Sequence, residues 1–142
     1  MKTSRLPNRR RGFTLMEILL VLAILGVVMA MVMPRLMGRQ QHANADATRI
    51  SIAGLTQALK LYALDHSGEY PKSTEGMDVL MKNPGNDKRW RGPYLEHPAL
   101  DAWGNPFKYH FPGKKNTDTF DIVSPGPDRV MGTNDDISNS DT

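Results

Sequence analysis

An apolar run near the N-terminus constrains the fold of this chain more than any other feature. Between Phe13 and Met33, only Thr14, Glu17 and Gly26 interrupt the apolar residues. As a helix this segment would be about 31 Å long, which matches a bilayer hydrocarbon core of roughly 30 Å. The sequence therefore predicts a membrane-spanning helix, followed by a more polar region that folds into a small separate head.

The charge is distributed unevenly along the chain. Five basic residues precede Gly12, and without them the net charge changes from +3 to −2. Such a basic flank stays cytoplasmic, so the C-terminal part faces the other side of the membrane. Because the basic excess is confined to this flank, the high isoelectric point does not indicate a nucleic-acid partner. The chain has no cysteine, which leaves a metal ion or assembly as support for a small core.

Glu17 is an acid inside a segment that otherwise suits a membrane, where a charge is costly and usually functional. A cut between Gly12 and Phe13 would make Glu17 the fifth residue, close to a new α-amino group. One interpretation is that the positive end of the helix favours the carboxylate. The other pairs it with the amine of the next chain in an assembly of parallel helices. A cleaved secretory signal fits less well, since no A-x-A site follows the long apolar run.

Beyond the apolar run, Pro34 predicts a kink or break, and an amphipathic helix is expected over residues 35–66. It ends where Gly68 and Pro71 follow. Two apolar lines with helical spacing are expected to contact the core of the head. They are Ala43, Ala47, Ile50, Gly54, Ala58 and Leu61, and Ile52, Leu55, Leu59 and Tyr62.

The remaining residues predict a small head with strands. A turn after residue 70 is expected to lead into a short helix capped by Ser73 or Thr74. Residues 107–111 and 119–124 alternate in polarity, which predicts an antiparallel hairpin that lies on the long helix. Five side chains are expected to pack inward: Met77, Leu80, Met81, Trp90 and Trp103.

An acidic loop follows the second predicted strand. Asp128, Asp135 and Asp136 lie within nine residues, and such carboxylates repel one another unless a cation lies between them. Calcium suits the set, because it takes six to eight oxygen ligands, and Thr133 and a carbonyl near Pro125 can contribute. The spacing does not match an EF-hand, and no histidine or cysteine nearby suits zinc. The residues alone leave both a calcium site and a solvated acidic turn open.

No pattern indicates an enzyme. The four histidines are scattered without paired spacing, and the sequence has no nucleophile elbow, phosphate-binding glycine loop or cysteine nucleophile. No catalytic residue is therefore predicted.

Four stretches carry a family resemblance. "RGFTLMEILLVLAILGVVMAMVMP" resembles the N-terminus of type IV pilins and pseudopilins. "GEYPKSTEGMDVLMKNP", "WRGPYLEHPALDAWGNPFKYHFPG" and "DIVSPGPDRVMGTNDDISN" resemble the major pseudopilin family of type II secretion, general secretion pathway protein G. The resemblance implies cleavage between Gly12 and Phe13 by the prepilin peptidase and N-methylation of Phe13. It also implies that Glu17 registers each subunit against the neighbouring N-terminus.

The resemblance implies an α+β, type IV pilin-like fold. A long N-terminal helix would pack on a small antiparallel sheet that ends in a C-terminal metal-binding loop. The expected divisions are a leader (1–12), a transmembrane or filament-core helix (13–34), an amphipathic helix (35–66) and a periplasmic head (67–142). In related filaments the helix is extended between the positions equivalent to Gly26 and Pro34.

The resemblance also implies one Ca²⁺ in the C-terminal loop. Its ligands would be Asp128, Thr133, Asp135, Asp136 and the backbone carbonyl of Pro125. This chain departs from the family pattern in three places. Thr133 stands where serine is usual, the position near Pro125 usually carries leucine, and no tryptophan follows Asn139.

The function implied is that of a major structural subunit, a helical homopolymer in the periplasm that helps to push folded proteins across the outer membrane. Its partners would be minor pseudopilins, the inner-membrane assembly platform and the prepilin peptidase. Before assembly it would cross the bacterial inner membrane once, with the head in the periplasm. Two alternatives remain: a type IV pilin of a surface fibre, and a membrane-anchored calcium-binding module.

Overall fold

The structure is a computed structural model that describes residues 12–141. The predicted leader, apart from Gly12, and Thr142 lie outside the described residues. In chain order the elements are helix α1 (Leu15–Asp65), a 3₁₀ helix (Asp78–Leu80) and strands β1 (Lys108–His110), β2 (Asp121–Ser124) and β3 (Ile137–Ser138). This confirms a long N-terminal helix with a small antiparallel sheet. The chain divides into two compact units between Arg39 and Gln40.

The first unit contains the apolar part of α1. Every side chain from Leu15 to Met33 is exposed. Within the described residues, α1 is the one helix whose length and composition suit a membrane crossing. The helix continues through Gly26 and Pro34, so the predicted break is not present in the single chain, and the alternative of a kink at Pro34 stays a prediction. Strong helix formers on both sides keep the segment helical although proline removes one backbone donor. Extension of the segment in a filament stays a prediction.

In the second unit, α1 buries one face only. Its buried apolar side chains are Ile52, Leu55, Ala58, Leu59, Tyr62 and Ala63. The second predicted apolar line is thereby confirmed, but the first is wrong apart from Ala58, since Ile50 is 72% and Leu61 54% exposed. At about 100° per residue, Ile50 and Leu61 lie nearly opposite Leu55 and Leu59. Because the rest of the head covers α1 from one side, only one of the two predicted apolar lines is buried.

The strands form one antiparallel sheet in the order β1–β2–β3. Tyr109 pairs with Ile122, and Ser124 pairs with Ile137. The predicted hairpin is confirmed, whereas the sequence did not predict β3, because two residues are too few to show alternation. Tyr109 Oη donates a hydrogen bond to the carbonyl of Pro71 at 2.8 Å, which ties the sheet to the segment that follows α1.

The short helix predicted after residue 70 is a single 3₁₀ turn. Ser73 does not cap it: its hydroxyl donates to the carbonyl of Phe111 at 3.0 Å and accepts from the Phe111 N–H at 2.7 Å. A serine hydroxyl can donate one hydrogen bond and accept others, so it serves both backbone groups of Phe111 in place of a cap. The predicted inward packing is confirmed for Leu80, which is buried, and for Met77, Trp90 and Trp103, which pack against the core; Met81 is half-buried.

Two leucines on opposite faces of α1 test this packing. Leu59→Ala empties a fully buried site and is expected to lower the free energy of unfolding by about 2–5 kcal/mol. Leu61→Ala, on the exposed face, should change it by less than about 0.5 kcal/mol when the chain is monomeric in detergent. Urea unfolding followed by tryptophan fluorescence measures both. Equal losses in the two variants would contradict the assignment of the buried face.

Candidate functional site

The first candidate site is the start of α1. Thr14 N–H donates to Glu17 Oε2 at 2.9 Å, Thr14 Oγ1 lies 3.1 Å from the same oxygen, and Glu17 N–H donates to Thr14 Oγ1 at 3.3 Å. This reciprocal pair is a capping box, in which two residues satisfy backbone donors that the first turn leaves unpaired. The single chain thus gives the Glu17 carboxylate a local role at the positive end of the helix.

Gly12 and Phe13, the predicted processing residues, directly precede this cap. Both are exposed, Phe13 to 84%. A cut between them would leave a new amine one residue before Thr14. The cap leaves the Glu17 side chain exposed, so the same carboxylate can also face a cation from another chain.

The second candidate site is the acidic loop, residues 125–136. Asp128 N–H donates to Asp135 Oδ2 at 3.2 Å, and the Thr133 hydroxyl donates to Asp135 Oδ1. The bond from Thr133 is the largest cause that lowers the pKa of Asp135 below its usual range. Asp128 Oδ1 accepts from the Val130 N–H at 2.7 Å. Three of the predicted ligands therefore form one hydrogen-bonded set.

Asp136 makes its hydrogen bond outside that set. Its Oδ2 accepts from the Gly132 N–H at 2.7 Å, and it lines a cavity of about 510 Å³ together with Lys108, Lys115 and Asp121. Its Oδ1 is buried, and within residues 12–141 the structure gives that oxygen no hydrogen-bond partner. A buried carboxylate oxygen without a donor suits a bound cation.

The carboxylates do not converge in the structure. Among the described residues, no three acidic, histidine or cysteine side chains lie close enough together to hold a metal ion. The reason is local, because Asp128, Asp135 and Asp136 each accept a hydrogen bond from a backbone N–H of the loop. The calcium site stays a prediction.

A buried polar network that the sequence did not predict holds the base of the acidic loop. Asp101, 5% exposed, accepts from the N–H groups of Trp103 (3.0 Å) and Asn105 (2.7 Å) and from Ser124 Oγ (2.6 Å). The Asn105 amide donates to the carbonyl of Gly126 at 3.1 Å. The Asp101 carboxylate thus fixes the turn 101–105 and the end of β2, and the Asn105 amide fixes the first glycine of the loop.

Two further features fix the same region. The hydroxyl of Thr48, a buried residue of α1, accepts from the Ala102 N–H at 3.2 Å. Gly126 has φ 65°, and a Cβ there would lie 2.5 Å from the carbonyl oxygen of Asp135. Only glycine fits this close approach. The one signal in the sequence was the Asp-x-x-Gly-Asn spacing of the turn, which marks a turn but not its burial.

Asp101→Asn tests the network. Burial raises the pKa of Asp101, but the hydrogen bonds from Ser124 and Asn105 outweigh it, so that the pKa lies below the usual range. The ionised form therefore stabilises the fold above the usual aspartate pKa near 3.9, and this contribution is lost as the pH falls. The variant should lose about 2 kcal/mol or more at pH 7, with a smaller difference from wild type at pH 3.

Urea unfolding at the two pH values measures the effect. The control is Asp46→Asn, which removes an exposed carboxylate paired with Arg49 and should change stability little. An Asp101→Asn variant as stable as this control at pH 7 would contradict a stabilising role for the buried carboxylate.

Two family models match the chain. Residues 35–140 match the family described as type II secretion system (T2SS), protein G, and residues 7–33 match the prokaryotic N-terminal methylation motif. The chain is similar to type II secretion system core protein G of Klebsiella pneumoniae, with 38% identity over 93% of this chain and 95% of the relative. The relative from Pseudomonas aeruginosa is 39% identical over 94% of this chain and 97% of its own length.

A solved structure is also similar. It is the crystal structure of the major pseudopilin from the type 2 secretion system of enterohaemorrhagic Escherichia coli. The match has a TM-score of 0.65 and 31% identity, and it covers 77% of this chain and 96% of that one.

Proposed function

Because the chain belongs to the type II secretion system protein G family, we propose that it polymerises into a periplasmic pseudopilus that helps to push folded proteins across the outer membrane. The observation that carries the proposal is the surface of α1 from Leu15 to Met33, which is apolar apart from Glu17 and exposed in the single chain. Such a surface needs lipid before assembly and other subunits after it. The matches do not favour a surface-fibre pilin or an isolated calcium-binding module.

Processing prepares the chain for this step. The prepilin peptidase would cut between Gly12 and Phe13 on the cytoplasmic side and methylate Phe13, leaving the head in the periplasm. In the polymer, the amine of one Phe13 would neutralise the Glu17 carboxylate of its neighbour, because an unpaired charge is costly in apolar surroundings. Minor pseudopilins and an inner-membrane assembly platform are the further partners proposed. Between Gly26 and Pro34, the two weakest helix formers of the segment would let the chain extend in the filament.

Glu17→Gln separates the two roles of this side chain. Glutamine supports a capping box as glutamate does, but it carries no charge to pair with an amine. We expect the variant to be processed normally. It should give on the order of tenfold fewer filaments, which corresponds to a subunit contact weakened by about 1.4 kcal/mol. Secretion of the exported proteins should fall with it. Filament recovery from sheared cells and enzyme activity in the medium are the measurements.

Thr14→Ala is the matched control. It removes the hydroxyl of the cap and keeps the charge, so filament assembly should largely persist. Normal filaments from Glu17→Gln together with lost filaments from Thr14→Ala would mean that only the cap matters, and would overturn the charge-pairing proposal.

We also propose that the acidic loop binds one Ca²⁺, with Asp128, Thr133, Asp135, Asp136 and the carbonyl of Pro125 as ligands. Support comes from the partnerless buried Oδ1 of Asp136 and from three like charges in one loop. A bound ion would neutralise that repulsion and order the loop in a head without disulfides. Hydrogen bonds that the carboxylates now accept from backbone N–H groups would be exchanged for contacts to the ion.

Calcium binding predicts a stability that depends on the ion. At a hundredfold excess over its dissociation constant, Ca²⁺ should stabilise the fold by about 2.7 kcal/mol and raise the midpoint of thermal unfolding by about 5 °C or more. Asp136→Asn should abolish most of the rise, whereas Asp118→Asn, which changes an exposed acid outside the loop, should keep it. Thermal unfolding with Ca²⁺ and with EGTA measures the rise in the midpoint. A rise that is retained in Asp136→Asn would contradict the proposed ligand set.

A further inference from the structure

His66 is a buried titratable residue that neither candidate site uses. It directly follows α1 and is 1% exposed. Its ring stacks on that of Tyr62, with centroids 3.8 Å apart and planes 6° from parallel. The last turn of a helix, with its unpaired carbonyl groups, favours a positive charge, and an aromatic face does the same.

Both ring nitrogens of His66 face acceptors. Nδ1 lies 2.7 Å from the carbonyl oxygen of Tyr62, and Nε2 lies 3.1 Å from Asp87 Oδ2. A carbonyl oxygen only accepts, so Nδ1 must donate, and an ionised carboxylate requires Nε2 to donate as well. A neutral imidazole carries one N–H and the imidazolium carries two. The geometry is therefore satisfied in full only by the protonated ring.

Asp87 is held in its ionised form by its own loop. The Arg89 N–H donates to Asp87 Oδ1 at 2.9 Å, and this bond is the largest cause that lowers the pKa of Asp87 below its usual range. The guanidinium of Arg89 lies 3.6 Å from the same oxygen. Asn83 fixes the loop from the other side, since its Oδ1 accepts from the Asp87 N–H at 2.8 Å.

Other charged or titratable groups also lie near the His66 ring. Tyr62, Tyr70, Glu69, Lys72, Glu75 and Arg89 line the pocket of about 230 Å³ that contains His66 and Asp87. The neighbouring Asp65 accepts from Tyr94 Oη at 2.7 Å. Two acids, Glu69 and Glu75, and two bases, Lys72 and Arg89, thus share the pocket, and Asp87 is the carboxylate bonded to the ring.

We propose that His66 and Asp87 form a protonation-dependent latch: the imidazolium fastens the loop 83–91 to the C-terminal end of α1, and the neutral ring releases it. Deprotonation leaves one N–H for two acceptors, and the helix carbonyl at 2.7 Å keeps it. Nε2 then offers a lone pair to the Asp87 carboxylate, which repels it. The latch is closed while the ring is protonated and Asp87 is ionised, and it opens as the pH rises. It does not depend on polymerisation or on calcium.

Trp90 reports the state of the latch. Its indole Nε1 donates to the carbonyl of Val79 at 2.8 Å, and it lies three residues after Asp87 in the same loop. In the full chain in detergent, with Trp103→Phe to leave one tryptophan, Trp90 emission should shift to longer wavelength as the pH rises from about 5 to 8, the interval in which an imidazole side chain changes its charge. Nitrogen NMR of ¹⁵N-histidine-labelled chain should show both His66 nitrogens protonated at the low end and loss of the Nε2 proton over the same interval.

His66→Gln should remove the pH step in Trp90 emission, and His97→Gln, the same change at an exposed histidine, should keep it. Asp87→Asn leaves the His66 ring in place and should also remove the step. Loss of the step in both variants would therefore not be explained by a folding defect in His66→Gln. The proposal is overturned if the step persists in His66→Gln or in Asp87→Asn. It is overturned equally if the His66 ring keeps one protonation state across the range.

Discussion

Burial of one face of α1 is the interaction on which the head depends. The three strands contain three, four and two residues, and a sheet of that size is not stable without a helix against it. Leu55 and Leu59, which belong to the helix, are almost completely buried. Leu80 and Ile122, which belong to the rest of the head, are buried to the same extent. With no cysteine in the chain, this helix-centred core is the main source of stability that the described residues contain.

Much of the head between these elements is irregular, and buried polar side chains organise it. Asp101 collects donors from the turn 101–105 and from β2, and Asp121 collects three backbone N–H groups from residues 114–116. His66 and Asp87 join the loop 83–91 to the helix end through a contact between two side chains. Backbone groups without a strand or helix partner must be satisfied when buried, and short acidic side chains satisfy several at once.

The sequence predicted features that depend on local pattern. The apolar run, the helix end near His66, the hairpin of β1 and β2 and the motif from Gly12 to Glu17 are all visible in a few neighbouring residues. Which apolar line of α1 is buried was not predictable, because Ile50 and Leu55 differ in what covers them and not in type. The role of Asp101 was missed for the same reason: Ser124 comes near it only through the fold. The acidic loop lies between these cases, since its three acids are visible in the sequence but their hydrogen-bond partners are not.

The central claim is that this chain is a pseudopilin subunit whose new N-terminus takes part in assembly. The most direct test is the intact mass of the chain extracted from membranes of cells with and without the prepilin peptidase. The expected result is the loss of residues 1–12 and the gain of one methyl group on Phe13, only when the peptidase is present. A chain that keeps its leader in both strains would contradict the claim, because Glu17 would then have no free amine to pair with.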